Sequence, residues 1–229
     1  MIRKLFSIAA LTLMISAGAA AQDNVNTMDF DWARYGRYAA DNAKLEKRPL
    51  VVLMGDSITE GWAFQDGDWL KSNNFLGRGI SGQTSSEMLA RFRQDVINLK
   101  PQFVVILAGI NDIARNNGKI EVENIYGNII SMVELARANK IRPVLCSVLP
   151  ASEIGWRKFL GNPTPQIVEL NGRLAAYAKS HKLPYVDYYS AMVSGDDGAL
   201  NPAYAQDAVH PNIDGYKVME RVLLQTVRF

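Results

Sequence analysis

Apolar residues along the chain alternate between two arrangements. Unbroken apolar runs at Leu50 to Met54, Gln102 to Ala108 and Pro143 to Leu149 predict buried strands, with shorter strands at Phe75 to Ile80 and Pro184 to Tyr188. Between them the apolar positions fall three and four apart, which predicts helices. Met88, Leu89, Phe92, Val96 and Leu99 form one such face behind a Thr84 or Ser85 cap. Val122, Ile125, Ile129, Met132, Val133 and Ala136 form a second, Ile167 to Lys182 a third, and Asn212 to Val227 a fourth, with Tyr216, Met219, Val222, Leu223 and Val227 inward. Before the first strand, Trp32, Tyr35 and Tyr38 predict a surface helix that Pro49 ends. Gly61 to Asn74 and Pro150 to Pro165 read as loops, the second long enough for a binding or lid role. Strands alternating with longer helices predict an α/β fold, a doubly wound and largely parallel sheet with covering helices. No linker interrupts the alternation, and no repeat or low-complexity tract occurs, so residues 22–229 are expected to form one domain.

Residues 1–21 are expected to be a signal peptide: Arg3 and Lys4 precede an apolar stretch from Leu5 to Ile15, and Ala19-Ala20-Ala21 offers a cleavage position. The apolar core is shorter than the roughly 20 residues of a spanning helix, so the mature chain is expected to lack a membrane span and to work in the periplasm or outside the cell. This changes the charge balance. The chain has 25 Lys plus Arg and 23 Asp plus Glu, and losing Arg3 and Lys4 leaves 23 of each, with no basic stripe to indicate a nucleic-acid partner. Cys146 is the only cysteine, which excludes an intrachain disulfide, and no cysteine at the cleavage junction offers a lipid anchor.

Candidate chemistry collects where the strands end. The first long run empties into Gly55-Asp56-Ser57, placing a hydroxyl at the carboxyl edge of the sheet, where ligands bind in this class. Ser57 has three readings: a helix-capping residue, part of a phosphate cradle, or a nucleophile that needs a base and oxyanion donors. The Gly-x-x-x-x-Gly-Lys-Ser/Thr loop of a phosphate cradle is absent. Only two histidines are present. His181 stands at a helix end, where it caps carbonyls. His210 lies in Asp207-Ala208-Val209-His210, where a carboxylate three residues away can fix its tautomer. Asn111, after the second long run, is either a turn residue or an amide aimed at a developing oxyanion, alongside the N–H groups of Ser57 and Gly82. A zinc site lacks a third nearby ligand, and no metal or organic cofactor is expected.

These blocks together resemble the SGNH-hydrolase superfamily, the GDSL esterases and lipases. Gly55-Asp56-Ser57-Ile58-Thr59 resembles the nucleophile block, Gly82 the second, Gly109-Ile110-Asn111-Asp112 the third, and Asp207 to His210 the last, in the expected order. The resemblance implies a flavodoxin-like three-layer α/β/α sandwich around a five-stranded parallel sheet. It also implies Ser57 as nucleophile, His210 as base, Asp207 as its orienter, and Ser57, Gly82 and Asn111 as the oxyanion hole. Gly61-Trp62 and the aromatic segment before Pro49 look most like the branch similar to platelet-activating-factor acetylhydrolase catalytic subunits and bacterial acetylesterases. The expected activity is hydrolysis of short acyl esters, with O-acetyl groups on carbohydrate favoured. The rivals are a lysophospholipase, thioesterase or longer-chain lipase, and a non-catalytic glycan-binding protein. Asp56, Trp62, Trp156 and Phe159 are candidate substrate contacts, with Phe64 and Trp69 as further aromatics that a sugar ring can meet. The sequence gives no sign of oligomeric state.

Overall fold

Five parallel strands form the centre: β1 (Val51–Gly55), β2 (Phe75–Gly79), β3 (Phe103–Ile106), β4 (Arg142–Cys146) and β5 (Tyr185–Val186), in the order β2-β1-β3-β4-β5. The structure, a computed structural model, describes residues 30–229, so the expected signal peptide lies outside the described residues. Among the described residues eight α-helices accompany the strands: α1 (Ala39–Ala43), α2 (Ser57–Ser72), α3 (Ser85–Asp95), α4 (Ile110–Ile113), α5 (Val122–Ala138), α6 (Thr164–His181), α7 (Tyr188–Met192) and α8 (Ile213–Thr226). Helices α3, α5 and α6 pack side by side as one layer, while α2, α8 and α7 form the other. The result is the three-layer sandwich expected, within one compact unit from Asp31 to Phe229.

The central strands are hydrophobic on both faces because both are covered: every residue of β1 and β3 is buried. Cys146, at the end of β4, is 1% exposed. Gly55 pairs with Gly79 and Met54 with Ile106, so three strands end at one level and release Ser57, Gly82 and Asn111 at the same edge. Close approach of α2 to this edge requires glycine: a Cβ on Gly79 would lie 2.2 Å from the Glu60 nitrogen. At the opposite edge the Phe229 ring packs edge-on against Phe75 and Phe103, joining the starts of β2 and β3.

The structure departs from the sequence reading in three places. Gly61 to Asn74 is helix rather than loop through Ser72, because Asp56 caps α2 (its Oδ1 accepts from Ile58 N at 3.0 Å) and Ile58, Trp62 and Leu70 are buried. A kink at Asp66 interrupts the helical period that would have revealed it. The segment before β1 forms only a 3-10 turn, Tyr35–Tyr38, and the short α1, and of the three aromatics only Tyr38 is buried, donating to the Gly79 carbonyl. Tyr188, expected at the end of the last strand, instead begins α7, which Asp187 caps.

Candidate active site

Ser57 is the first residue of α2 and follows directly on β1, so its position is fixed by a buried strand and a capped helix start. Its Oγ lies 2.9 Å from His210 Nε2. The other ring nitrogen, Nδ1, is 2.8 Å from Asp207 Oδ2. With the carboxylate accepting a hydrogen bond from Nδ1–H, Nε2 presents its lone pair to the serine hydroxyl. The irregular stretch that carries this pair is tied down locally. Asp207 Oδ1 accepts from the backbone N–H of Val209 and of His210, both at 2.8 Å, and Gln206 N donates to the His210 carbonyl at 2.8 Å. Partial burial pushes the Asp207 carboxyl up, but the hydrogen bonds from His210 and Val209 outweigh it and hold the group below the ordinary carboxylate range.

Gly82 and Asn111 stand beside this line. Gly82 has φ of +80°, a conformation open to glycine. The Asn111 amide is buried; its Nδ2 donates to the Gln83 carbonyl at 3.1 Å, and its Oδ1 accepts from Asn116 Nδ2 at 2.9 Å. Asp112 reaches the other way, accepting from Ser85 N at 2.9 Å and Ser85 Oγ at 2.6 Å, and so ties α4 to the start of α3. Burial pushes the Asp112 carboxyl up to about 6 although the Ser85 donors oppose it, and burial likewise lifts Asp56 to about 6 against its bond from Ile58.

A cleft of about 450 Å³ opens at Ser57, lined by Glu60, Phe64, Gln65, Ser81, Gln206 and His210. Trp156 stands beside His210, its ring centroid 6.1 Å from the imidazole. Phe64 and Phe159 are strongly exposed. Two of the proposed substrate contacts are elsewhere. Trp62 is 2% exposed, stacked on Trp69 at 5.6 Å with its Nε1 donating to Glu220, because it lies on the inward face of a helix rather than on a loop. Asp56 is 1% exposed and spent on capping. His181 sits at the end of α6 against Tyr177, far from this chemistry in its contacts. Among the described residues no group of three or more His, Cys, Asp or Glu is arranged to hold a metal.

Sequence reasoning passed over a buried support beneath the site. Arg91 and Asp95 form an ion pair at 3.0 Å with both side chains fully buried. The Arg91 guanidinium also donates to Gln83 Oε1 at 2.6 Å and to the Gly55 carbonyl at 3.0 Å, and Gln83 Nε2 donates to the Ala33 carbonyl at 2.8 Å. One cation thus joins the strand end before Ser57 to the loop that carries Gly82. The Glu87 partner of Thr84 was readable as a helix-capping pair, but nothing in local spacing marks Arg91 as buried.

A hydroxyl, an imidazole and a carboxylate in line at the edge of a doubly wound sheet are the parts of a serine-type hydrolase. The chain belongs to the GDSL-like lipase/acylhydrolase family, which its residues 53–218 match, and is an ester-cleaving hydrolase. It is similar to a presumed acylhydrolase from Bacteroides fragilis, at 52% identity and a TM-score of 0.84, over 86% of this chain and 97% of that one. A GDSL-like lipase from Bacteroides thetaiotaomicron is 51% identical with a TM-score of 0.82, over 84% of this chain and 96% of that one. The acetylxylan esterase of Geobacillus stearothermophilus is 24% identical over 157 residues, 67% of this chain and 72% of that protein. A Bacillus subtilis lipoprotein is 29% identical over 120 residues, 45% of this chain, and the match spans about half (49%) of that relative's length.

Proposed function

We propose that this protein hydrolyses short-chain acyl esters, with O-acetyl groups on carbohydrate as its substrate class, through a Ser57–His210–Asp207 triad. The observation that carries the reading is the unbroken line from Asp207 Oδ2 through both imidazole nitrogens to Ser57 Oγ, with spacings of 2.8 and 2.9 Å. His210 takes the hydroxyl proton as Ser57 Oγ bonds to the ester carbonyl carbon. The oxyanion rests among the N–H groups of Ser57 and Gly82 and the Asn111 amide, and collapse expels the alkoxide, which receives the proton from His210. Water then repeats the sequence on the acyl-serine. Loss of one oxyanion donor such as Asn111 is expected to cost roughly 3 to 4 kcal/mol in the transition state.

Two features support a small acyl group on a hydroxylated alcohol. The cleft at Ser57 is lined largely by polar side chains, Glu60, Gln65, Ser81 and Gln206, which suit hydroxyl groups better than an alkyl tail. The indole of Trp156 is 40% exposed beside His210 and is anchored by its Nε1, a rigid platform for a sugar face. Similarity to the acetylxylan esterase agrees with this choice. A lysophospholipase or thioesterase is the second reading, favoured by 24% identity over 176 residues to an Escherichia coli enzyme named for thioesterase, protease and lysophospholipase activities. Export of the mature chain, residues 22–229, to the periplasm or medium rests on the leader-like residues 1–21, and no described helix is long and apolar enough to cross a membrane.

The test is a panel of p-nitrophenyl acetate, butyrate, octanoate and palmitate with wild-type protein and Ser57→Ala. Turnover confined to the short esters and lost in the variant is the expected result, and acetate release from acetylated xylan extends it to carbohydrate. Dominant octanoate or palmitate turnover moves the assignment to the second reading.

A further inference from the structure

The geometry points to Asn116 as a positioning residue that sets the orientation of the oxyanion-binding amide of Asn111 and links it to Trp156. The inference rests on the ester-hydrolysis reading above and concerns how its donors are held. An asparagine amide has two ends of similar shape, and only one helps: with Nδ2 forward Asn111 donates to an oxyanion, and with Oδ1 forward it repels one. Something must choose.

The choice follows from partners that have no ambiguity of their own. The indole Nε1–H of Trp156 is a donor only, and it lies 3.0 Å from Asn116 Oδ1. The Gly82 carbonyl is an acceptor only, and it lies 3.0 Å from Asn116 Nδ2. Both conditions are met by one orientation of Asn116, which leaves its second Nδ2 proton directed at Asn111 Oδ1, 2.9 Å away. That bond turns Asn111 Nδ2 the other way, where one proton goes to the Gln83 carbonyl at 3.1 Å and the second remains for an oxyanion. The order passes from the indole to the donor through two amides. The local chain makes this reach short: Asn116 N donates to the Asn111 carbonyl at 3.0 Å across a turn in which Arg115 takes φ of +56°.

The same amide grips the Gly82 carbonyl, so Asn116 holds two of the three proposed oxyanion elements at once. Trp156 lies in the 3-10 segment Gly155–Leu160, within the long loop after β4. Placement of that loop and readiness of the oxyanion site are therefore one event.

The experiment is a double-mutant cycle on p-nitrophenyl acetate hydrolysis, with Ser57→Ala as the measure of background. Asn116→Ala is expected to lower kcat roughly ten- to a hundredfold with KM changed less than about twofold. In an Asn111→Ala background the same substitution is expected to cost at least about threefold less in kcat than it does in the wild-type background, because the amide it positions is gone and only its hold on the Gly82 carbonyl remains. Trp156→Phe, which keeps the ring and removes the N–H, is expected to lower kcat by about threefold with KM unchanged, and it supplies the answer if Asn116→Ala fails to give the wild-type near-UV circular dichroism spectrum. Equal losses from Asn116→Ala in both backgrounds, or wild-type kcat in Asn116→Ala and Trp156→Phe, overturn the inference while leaving ester hydrolysis standing. Absence of any Ser57-dependent turnover in the wild-type protein overturns the hydrolysis reading, and the inference falls with it.

Discussion

Ser57 and His210 face each other across 2.9 Å but reach that point by different means. Ser57 is delivered by a strand buried along its whole length and by a helix start whose capping carboxylate is itself 1% exposed. His210 comes from an irregular segment whose partner carboxylate, Asp207, has a side chain 54% exposed and is held by hydrogen bonds from the Val209 and His210 backbone N–H groups and from the imidazole. One half of the site is fixed by packing and the other by a local knot of hydrogen bonds in partial contact with water. The difference teaches that Ser57, the proposed nucleophile, should tolerate little rearrangement around it, while His210 and Asp207, its proposed base and orienter, should degrade by degrees.

The largest effect tests the first half. Ser57→Ala is expected to reduce ester hydrolysis by roughly 10⁴-fold or more, measured with p-nitrophenyl acetate, because the proposed acyl intermediate forms on its hydroxyl. Asp207→Ala then sharpens the contrast: its loss is expected to be roughly a hundredfold smaller than that of Ser57→Ala, since water reaches the exposed position and can accept the Nδ1–H in place of the carboxylate. Equal losses in the two variants would erase the distinction between the halves.

Stability carries the next prediction. Arg91→Leu leaves the Asp95 carboxylate buried without its partner and releases the Gly55 carbonyl beneath Ser57. Urea unfolding is expected to show a loss of about 3 to 5 kcal/mol. Asp112→Asn is expected to act more gently and through pH. Because burial raises the folded Asp112 carboxyl to about 6, its contribution to stability is full below the unfolded value near 3.8 and is lost as pH rises through about 6. The wild-type melting temperature is therefore expected to carry a falling component from Asp112 over that window, and Asp112→Asn to remove it. Asp207 works with the opposite sign, its contribution being lost on acidification, so the double comparison separates the buried half from the exposed one. The smallest effect is expected at Phe159, 78% exposed and outside the Ser57 cleft lining: Phe159→Ala should leave kcat on p-nitrophenyl acetate within about twofold of wild type.

The same contrast explains what could be read from the chain. Leu50 to Met54 and Gln102 to Ala108 are legible as strands because sequential burial on two faces permits almost no polar residue. The Ser57, Gly82, Asn111 and His210 positions follow from those strand ends and from the Asp207 spacing. Helix α2 is not legible because Asp66 breaks its period, so Trp62 reads as a loop residue and a candidate substrate contact. Trp32, Tyr35 and Tyr38, three residues apart, match the 3-10 repeat that Tyr35–Tyr38 adopts better than an α-helical stripe. Arg91, Gln83 and Asn116 were unreadable for another reason. Each is an ordinary polar residue by composition, and the Gly55, Ala33 and Gly82 carbonyls that they bind lie far along the chain from them, so only the folded register reveals these contacts.

Cys146 offers an unplanned instrument. A lone thiol at the end of a central strand, with burial raising it far above its ordinary ionisation, is shielded from alkylating and disulfide-exchange reagents for as long as the sheet stays closed. The rate at which it becomes labelled therefore reports, without any engineered probe, how often the molecule opens to its middle.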